Sequence, residues 1–453
     1  MGGMQSGAEG YNKSVFTQTT AENDFINPIR GPKMLIEFRV SNFRSLRDEQ
    51  VLSLVASKDK TLASTHTVPT GVGAAPALLR SAAIYGPNAG GKSNLIKALQ
   101  YMRGVVVESA TIAPNQPFSV QPFRLDAASA SMPTEFEVTF LIDGVRYQYG
   151  FAMNAERILS EHLLVYKAFK PQHWFTRRHD PATGRDVYDF GPALKGQKSV
   201  WESATRPNAL FLSMAVQLNS EQLAPVFDWF ARELVVFNEH AMLNPRVTLQ
   251  MLRDPAAKRS ICAFLNAADI SIADIDVVTR KVPGQTVRFD PDASKTEVRA
   301  EDLDQDELRF THTTSKGAAV FGITDESSGT RNLLFMIGPI LDIVRNGLTL
   351  VVDELDTSLH TLLVRRIIQL FHDTDVNRRG AQLVFTTHDT SLLDAHDLFR
   401  RDQVWFVEKD RDQASRLYSL TEFSPRKGEA LERAYLMGRY GGLPILGELQ
   451  LEH

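Results

Sequence analysis

With 453 residues the chain is long enough for two domains, or for one domain carrying a large insertion. Hydrophobic content of 43%, charged content of 23% and a formal net charge of −4 describe an ordinary globular protein and carry no global sign of nucleic-acid binding. A lone cysteine, Cys262, excludes an internal disulfide, and no apolar run approaches the roughly 18 residues of a membrane span, so a cytoplasmic chain without membrane contact is expected.

Residues 1–33 are rich in Gly, Ser, Thr and Asn without periodicity and read as an extension outside the core, with no signal-peptide h-region and with Met34 as a candidate natural start. From Met34 the stretch MLIEFRVSNFRSL alternates as a strand does. Next comes SAAIYGPNAGGKSNLIKAL, residues 81–99: a buried strand, a loop with the spacing G-x-x-x-x-G-K-S, and an amphipathic helix. In that context Gly86, Gly90 and Gly91 let backbone approach phosphates, with Asn88 in the same loop, and the helix start offers N–H groups to them. Lys92 is placed to reach the β/γ-phosphates of ATP and the Ser93 hydroxyl to take a Mg²⁺ position.

Two alternating runs around Asp143-Gly144 predict a hairpin in TEFEVTFLIDGVRYQYGFAM, and short strands are expected through ILSEHLLVYKAF and RDVYDFG. The basic and aromatic stretch KAFKPQHWFTRRHD, with Lys167, Lys170, Trp174, Arg177 and Arg178, reads first as a solvated hairpin with a stacked aromatic and second as a phosphate-touching surface. From about Lys198 to Ala268 the spacing is helical, notably in SEQLAPVFDWFARELVVF; Cys262, in SICAFLNAA, is expected to be a buried thiol. The acidic RAEDLDQDEL reads as a solvated loop. No heptad or internal repeat is sustained, so no long coiled coil is expected. The last three residues, LEH, read as the start of a cloning scar.

Three later segments complete the loop. In LTLVVDEL, Asp353 and Glu354 close an apolar run fit for a buried parallel strand, where Asp353 can share the Mg²⁺ shell with Ser93 and Glu354 can deprotonate the attacking water. AQLVFTTHD ends in His388, a candidate for bonding the γ-phosphate. In ITDESSGTRNLLFMIGPIL, Ser327 and Gly329 stand at the start of a long apolar helix, a further anion site.

The order GPNAGGKS, ESSGT, LVVDEL and FTTH resembles the ATP-binding-cassette class of ATPases. MLIEFRVSNFRSL and DESSGTRNLL are similar to the stand-alone prokaryotic AAA-domain ATPases related to structural-maintenance-of-chromosomes heads and to the overcoming-lysogenisation-defect family. PFRLD, the hairpin and GRYGGLP look like members found in anti-phage and abortive-infection loci, often beside a toprim-type nuclease; the resemblance spans about residues 34–445. It implies an α/β fold: an ABC-type P-loop head with a mixed sheet, an antiparallel β lobe and a mixed, largely helical insertion. The expected division is an extension at 1–33, the first part of the head at 34–155, an insertion lobe at 156–320 and the second part of the head at 321–453.

By motif match Glu354 is the base and His388 the switch; Lys92 and Ser93 hold phosphate and Mg²⁺, Asp353 the metal, and Ser327 and Gly329 are signature residues. The signature reads E-S-S-G-T, His360 occupies the usual place of the D-loop aspartate, and Gln121 is a weak match for the glutamine after the first lobe. The resemblance implies a homodimer or higher oligomer sharing ATP sites, a separate effector such as a toprim-type nuclease, and a nucleic acid or phage protein as trigger. The alternative is a DNA-repair or chromosome ATPase acting directly on DNA. A transporter motor ranks last, because about 240 residues separate loop and signature, and the roughly 60 residues after His388 are too few for a nuclease domain.

Overall fold

The computed structural model describes residues 31–237, 245–290, 295–357, 359–395, 397–424 and 429–443, with the backbone alone at 286–290 and 295–301. The 1–33 extension up to residue 30, and the closing LEH, lie outside them.

β1 (Lys33–Ser41) and β2 (Gln50–Ser53) form an antiparallel pair, and β3 (Thr67–Val72) and β4 (Ala75–Leu79) a separate two-stranded ladder. β5 (Ser81–Tyr85) leads through the glycine-rich loop into the Lys92–Glu108 helix. β6 (Thr134–Ile142) and β7 (Val145–Met153) make the expected hairpin, whose turn residues Asp143 and Gly144 both take positive φ (50° and 80°), the conformation a tight two-residue hairpin demands. β8 (Ile158–Tyr166), β9 (Gln172–Asp180) and β10 (Arg185–Phe190) continue that sheet, which runs β10-β9-β8-β7-β6-β1-β2. The boundary read at 155/156 therefore falls inside one continuous sheet.

Short helices follow, and then the chain departs from the helical pattern. After Ala224–Asp228 and one π-helical turn at Trp229–Glu233 it becomes β11 (Leu234–Phe237). The LVVF run is apolar and partly β-branched, and it finds a parallel partner at the edge of the central sheet, so tertiary pairing overrides its helical spacing. After helices Pro245–Leu252 and Pro255–Ala267, β12 (Asp274–Asp290), β13 (Lys295–Thr314) and β14 (Gly317–Gly322) form a three-stranded sheet. The acidic RAEDLDQDEL lies in β13 and not in a loop. Asp302 and Asp304 are exposed, and the half-buried Asp306 and Glu307 carry cross-element ion pairs, Arg253 with Asp306 (2.7 Å) and Arg280 with Glu307 (2.9 Å), which is how a charged run becomes a strand.

The Ser328–Asn346 helix, β15 (Thr349–Val352), the Thr361–His372 helix, β16 (Gln382–Thr386), β17 (Val404–Lys409) and β18 (Ser415–Ser419) complete the described chain apart from short turns and a terminal helix, Leu431–Leu436. The central sheet runs β11-β15-β16-β5-β17-β18, parallel except for the last pair. β5, β15 and β16 are buried at every position, as strands covered on both faces must be. One face, with Ala82, Ile84, Val351 and Val384, packs with Leu95, Leu99 and Met102 of the Lys92–Glu108 helix and with Phe38, Phe136 and Val138 of the antiparallel sheet. The opposite face, with Ala83, Leu350, Val352, Leu383 and Phe385, packs with Leu333, Ile337 and Ile340 of the Ser328–Asn346 helix and Val364 and Ile368 of the Thr361–His372 helix. This is the α/β architecture of a P-loop ATPase head with an antiparallel β lobe. At 19 residues the Ser328–Asn346 helix is the longest described, too short for a long coiled coil, and no described helix is long and apolar enough to cross a membrane.

Candidate active site

Three neighbouring parallel strands, β5, β16 and β15, end at the same sheet edge and release the glycine-rich loop, the Thr387-His388 segment and the Asp353-Glu354 turn side by side. That is where open α/β sheets bind ligands. Gly86 (φ +154°) and Gly91 (φ +116°) take backbone values that other residues avoid, and a Cβ on either would strike Val407 O or the Ser415 side chain. Ser415 Oγ bonds Gly90 O (2.7 Å) and Ser45 Oγ (2.8 Å), and Asn94 Nδ2 donates to the same Ser45 Oγ (2.7 Å), so the loop is braced from outside. Gly90 N–H closes a turn on Pro87 O (3.0 Å), while Asn94 and Leu95 N–H return to Gly91 O (3.0 and 3.2 Å). The first-turn N–H groups at Lys92 and Ser93 are the donors that any helix start leaves free.

Lys92 is buried, its ammonium donating to Gly86 O (2.8 Å) and Pro87 O (3.2 Å). Burial pulls it below the usual lysine range, and the charges of Glu354, Asp353 and Asp356 pull it back. A lysine held on carbonyls beside three carboxylates can exchange those contacts for phosphate oxygens. Ser93 follows it in the same turn, partly buried, and Asn88 at the loop tip is exposed.

Across the sheet edge, Thr386 Oγ1 donates to Asp353 Oδ1 (2.7 Å) and accepts from Glu354 N–H (2.7 Å). Glu354 sits at φ +55°, a left-handed conformation for a non-glycine residue and one that clusters at functional sites. Its Oε2 accepts from Thr357 Oγ1 (3.1 Å). His388 is exposed, and its backbone N–H donates to Asp356 Oδ2 (3.1 Å). No cluster of three or more His, Cys, Asp or Glu that could hold a metal occurs among the described residues. The donors present, one hydroxyl and one acidic pair facing a phosphate cradle, fit a Mg²⁺ that takes most of its ligands from phosphate and water.

The structure thus brings Gly86, Gly90, Gly91, Lys92, Ser93, Asp353, Glu354 and His388 to one edge. No described bond joins Ser327 or Gly329 to these residues: Ser327 caps the Ser328–Asn346 helix, its Oγ accepting from Thr330 N–H (3.0 Å), and Gly329 is exposed beside Ser327 Oγ. His360 caps the Thr361–His372 helix, accepting Leu362 N–H at Nδ1 (3.2 Å), and Gln121 offers its carbonyl to Arg44 N–H (2.7 Å). Within KAFKPQHWFTRRHD, Trp174 and Arg177 are buried, and Arg177 pairs with Asp186 (2.7 Å), which leaves Lys167, Lys170 and Arg178 exposed. Cys262 is buried, and burial pushes its thiol up. Sequence reasoning missed Thr386, Ser45, Ser415 and Asp356, although Thr386 lies inside FTTH, Ser45 inside MLIEFRVSNFRSL and Asp356 directly after LVVDEL; Ser415 alone of the four stands away from a quoted stretch.

Residues 81–394 match the family described as "AAA domain, putative AbiEii toxin, Type IV TA system". The chain belongs to this family. The AAA domain so matched begins on the first residue of β5 and ends just beyond the histidine segment, so it holds the loop, the acidic turn and His388. No curated protein matches the chain. Among solved structures it is similar to the SMC head domain from Thermotoga maritima (13% identity, TM-score 0.39, covering 85% of this chain and 98% of that one) and to an SmcHead bound to the C-winged helix domain of ScpA (13%, 0.36, 85% and 97%). An Smc head with an extended coiled coil, bound to the C-terminal domain of ScpA derived from Pyrococcus furiosus, matches at 13% and 0.32, covering 90% and 99%. These likenesses are distant.

Proposed function

We propose that the chain binds and hydrolyses ATP with Mg²⁺ and uses the cycle to control a partner effector in anti-phage defence. The observation that carries the ATPase reading is the convergence of the buried Lys92 with Asp353, Glu354 and His388 at the ends of three adjacent strands. Lys92 and the N–H groups of the loop and helix start bind and orient phosphates. Ser93 and Asp353 hold Mg²⁺, which, bound with the nucleotide, offsets phosphate charge. Glu354, turned out of the strand by its left-handed backbone, takes the proton of a water, and His388 bonds the γ-phosphate.

The partner reading rests on resemblance and on the family description, which names a toxin of a toxin–antitoxin system, an arrangement in which one chain acts with another. The effector proposed is nucleolytic, the trigger a phage protein or nucleic acid, and the sharing of ATP sites between copies brings Ser327 and Gly329 of one subunit to the Lys92 of the next.

Binding of a fluorescent ATP analogue and release of phosphate separate the roles. Lys92→Ala is expected to lose binding, whereas Glu354→Gln keeps binding and hydrolyses roughly 10²–10⁴-fold more slowly, the usual contribution of a positioned base. Hydrolysis by Glu354→Gln at the wild-type rate removes Glu354 from its role. For the partner reading, cells carrying the gene with and without its genomic neighbour are challenged with phage; protection by this chain alone, undiminished by Lys92→Ala, sinks both partner and ATP dependence.

A further inference from the structure

No motif assigns Asp356, yet its carboxylate stands where β5, β15 and β16 end. The turn that carries it is pinned to β16 twice, by Glu354 N–H on Thr386 Oγ1 (2.7 Å) and Leu355 N–H on Thr386 O (3.1 Å). From there Asp356 Oδ2 accepts the backbone N–H of His388 (3.1 Å). Its other oxygen, Oδ1, is buried without a hydrogen-bond partner among the described residues, and so is the hydroxyl of Tyr85, the last residue of β5. The charge of Asp356 is felt by both Tyr85 and Lys92, which places it within electrostatic reach of the phosphate loop.

A partly buried carboxylate with one oxygen unpaired is an expensive way to hold a loop; an amide or hydroxyl would anchor one N–H at lower desolvation cost. The neighbouring bonds of the segment run elsewhere, Thr387 N–H to Ile84 O (3.2 Å) and Asp389 N–H to Thr387 Oγ1 (3.0 Å). Among the described residues the bond to Asp356 is the one that ties the His388 N–H itself to the acidic turn, beyond the two bonds at Thr386. We infer that Asp356 is a positioning residue: through its bond to the His388 N–H it holds the acidic turn and the histidine segment in one register, so that the His388 side chain and Glu354 address the same γ-phosphate.

The inference rests on the ATPase reading, and its test separates the two. Asp356→Ala removes the acceptor, Asp356→Asn keeps one, and both are compared with His388→Ala and with the Asp356→Ala/His388→Ala double variant. Expected for Asp356→Ala is a fall in kcat of about tenfold, the equivalent of one lost hydrogen bond in the transition state, with KM for ATP changed less than about twofold. Asp356→Asn should recover most of the rate, and the double variant should be no slower than His388→Ala, because Asp356 acts through that residue. Hydrogen exchange gives a readout without turnover: the His388 amide should exchange faster in Asp356→Ala than in wild type and Asp356→Asn, at equal Tm. Wild-type kcat in Asp356→Ala, additive losses in the double variant, or an unchanged His388 amide overturns the inference. Absence of hydrolysis in the wild type overturns the ATPase reading instead, and the exchange comparison still decides the tether.

Discussion

His372 is buried against Ser81, Gln403 and His66 at the end of the central sheet opposite the phosphate loop. Its Nε2 lies 2.9 Å from Ser81 Oγ, its ring lies tilted by 30° against His66 with centroids 3.8 Å apart, and Nδ1 has no partner among the described residues. Burial, the His66 ring and Arg80 all hold it neutral, well below the usual histidine range, and burial lowers His66 as well. Below pH about 6.5 the unfolded chain takes up protons on these histidines and the folded chain does not, so stability falls as pH falls from that value towards the depressed folded pKa values. The slope per fully buried histidine is at most about 1.4 kcal/mol per pH unit. Urea denaturation between pH 5 and 8 is expected to show this loss, and His372→Gln, which can still meet Ser81, should flatten it. A slope unchanged in that variant would place the titration elsewhere.

The elements that build the site are held by a few bonds between strand ends. Thr386 is the hinge of β15 and β16: its hydroxyl supports the carboxylate of Asp353 and the strained backbone of Glu354 together. Thr386→Val keeps the β-branched shape for the buried strand and removes both bonds, leaving the Glu354 N–H without its acceptor. The expected cost is about 1–3 kcal/mol in stability. Hydrolysis should fall with it, while ATP binding, carried by the Lys92 loop on β5, stays near the wild-type value. Chemical denaturation together with nucleotide titration checks it, and equal loss of binding and hydrolysis would mean that Thr386 serves the fold alone. Helices and strands whose pattern agrees with their neighbours were legible in the sequence: the loop and its flanks, the Asp143-Gly144 hairpin, β15 and β16. LVVF and RAEDLDQDEL were not: the first takes its conformation from β15, more than a hundred residues on, and the second is a charged run that becomes a strand only by pairing with its hairpin neighbour β12.

For the whole molecule, the position of the signature decides what one copy can do. Ser327 and Gly329 begin a helix whose apolar face is committed to the central sheet, and the bonds of Ser327 stay within its own turn. Ser327, Ser328 and Gly329 are exposed, as a helix start that meets a second copy has to be. Under the shared-site proposal, a mixture of Lys92→Ala and Ser327→Arg subunits, each inactive alone, should regain hydrolysis, because each heterodimer assembles one site from an intact loop and an intact signature. Mixed subunits shown to associate by a tag pull-down yet still inactive would count against sharing. Activity of Ser327→Arg alone would do the same.

Local chemistry settled much of this protein in advance. G-x-x-x-x-G-K-S between an apolar strand and an amphipathic helix is legible as a glycine turn that opens a helix, since glycine backbone and helix N–H groups act within one turn. Two carboxylates after the apolar run Leu350-Val351-Val352 likewise place Asp353 and Glu354 at a strand end. Only the tertiary structure decided that β16 lies between β5 and β15, which brings Thr386, Asp356 and His388 into one bonded set. It also decided that residues 158–190 belong to the sheet begun at Lys33, and that Trp174 and Arg177 are core rather than surface. Strand order, cross-strand partners and the burial of a charge depend on residues hundreds of positions apart, and no local pattern carries that information.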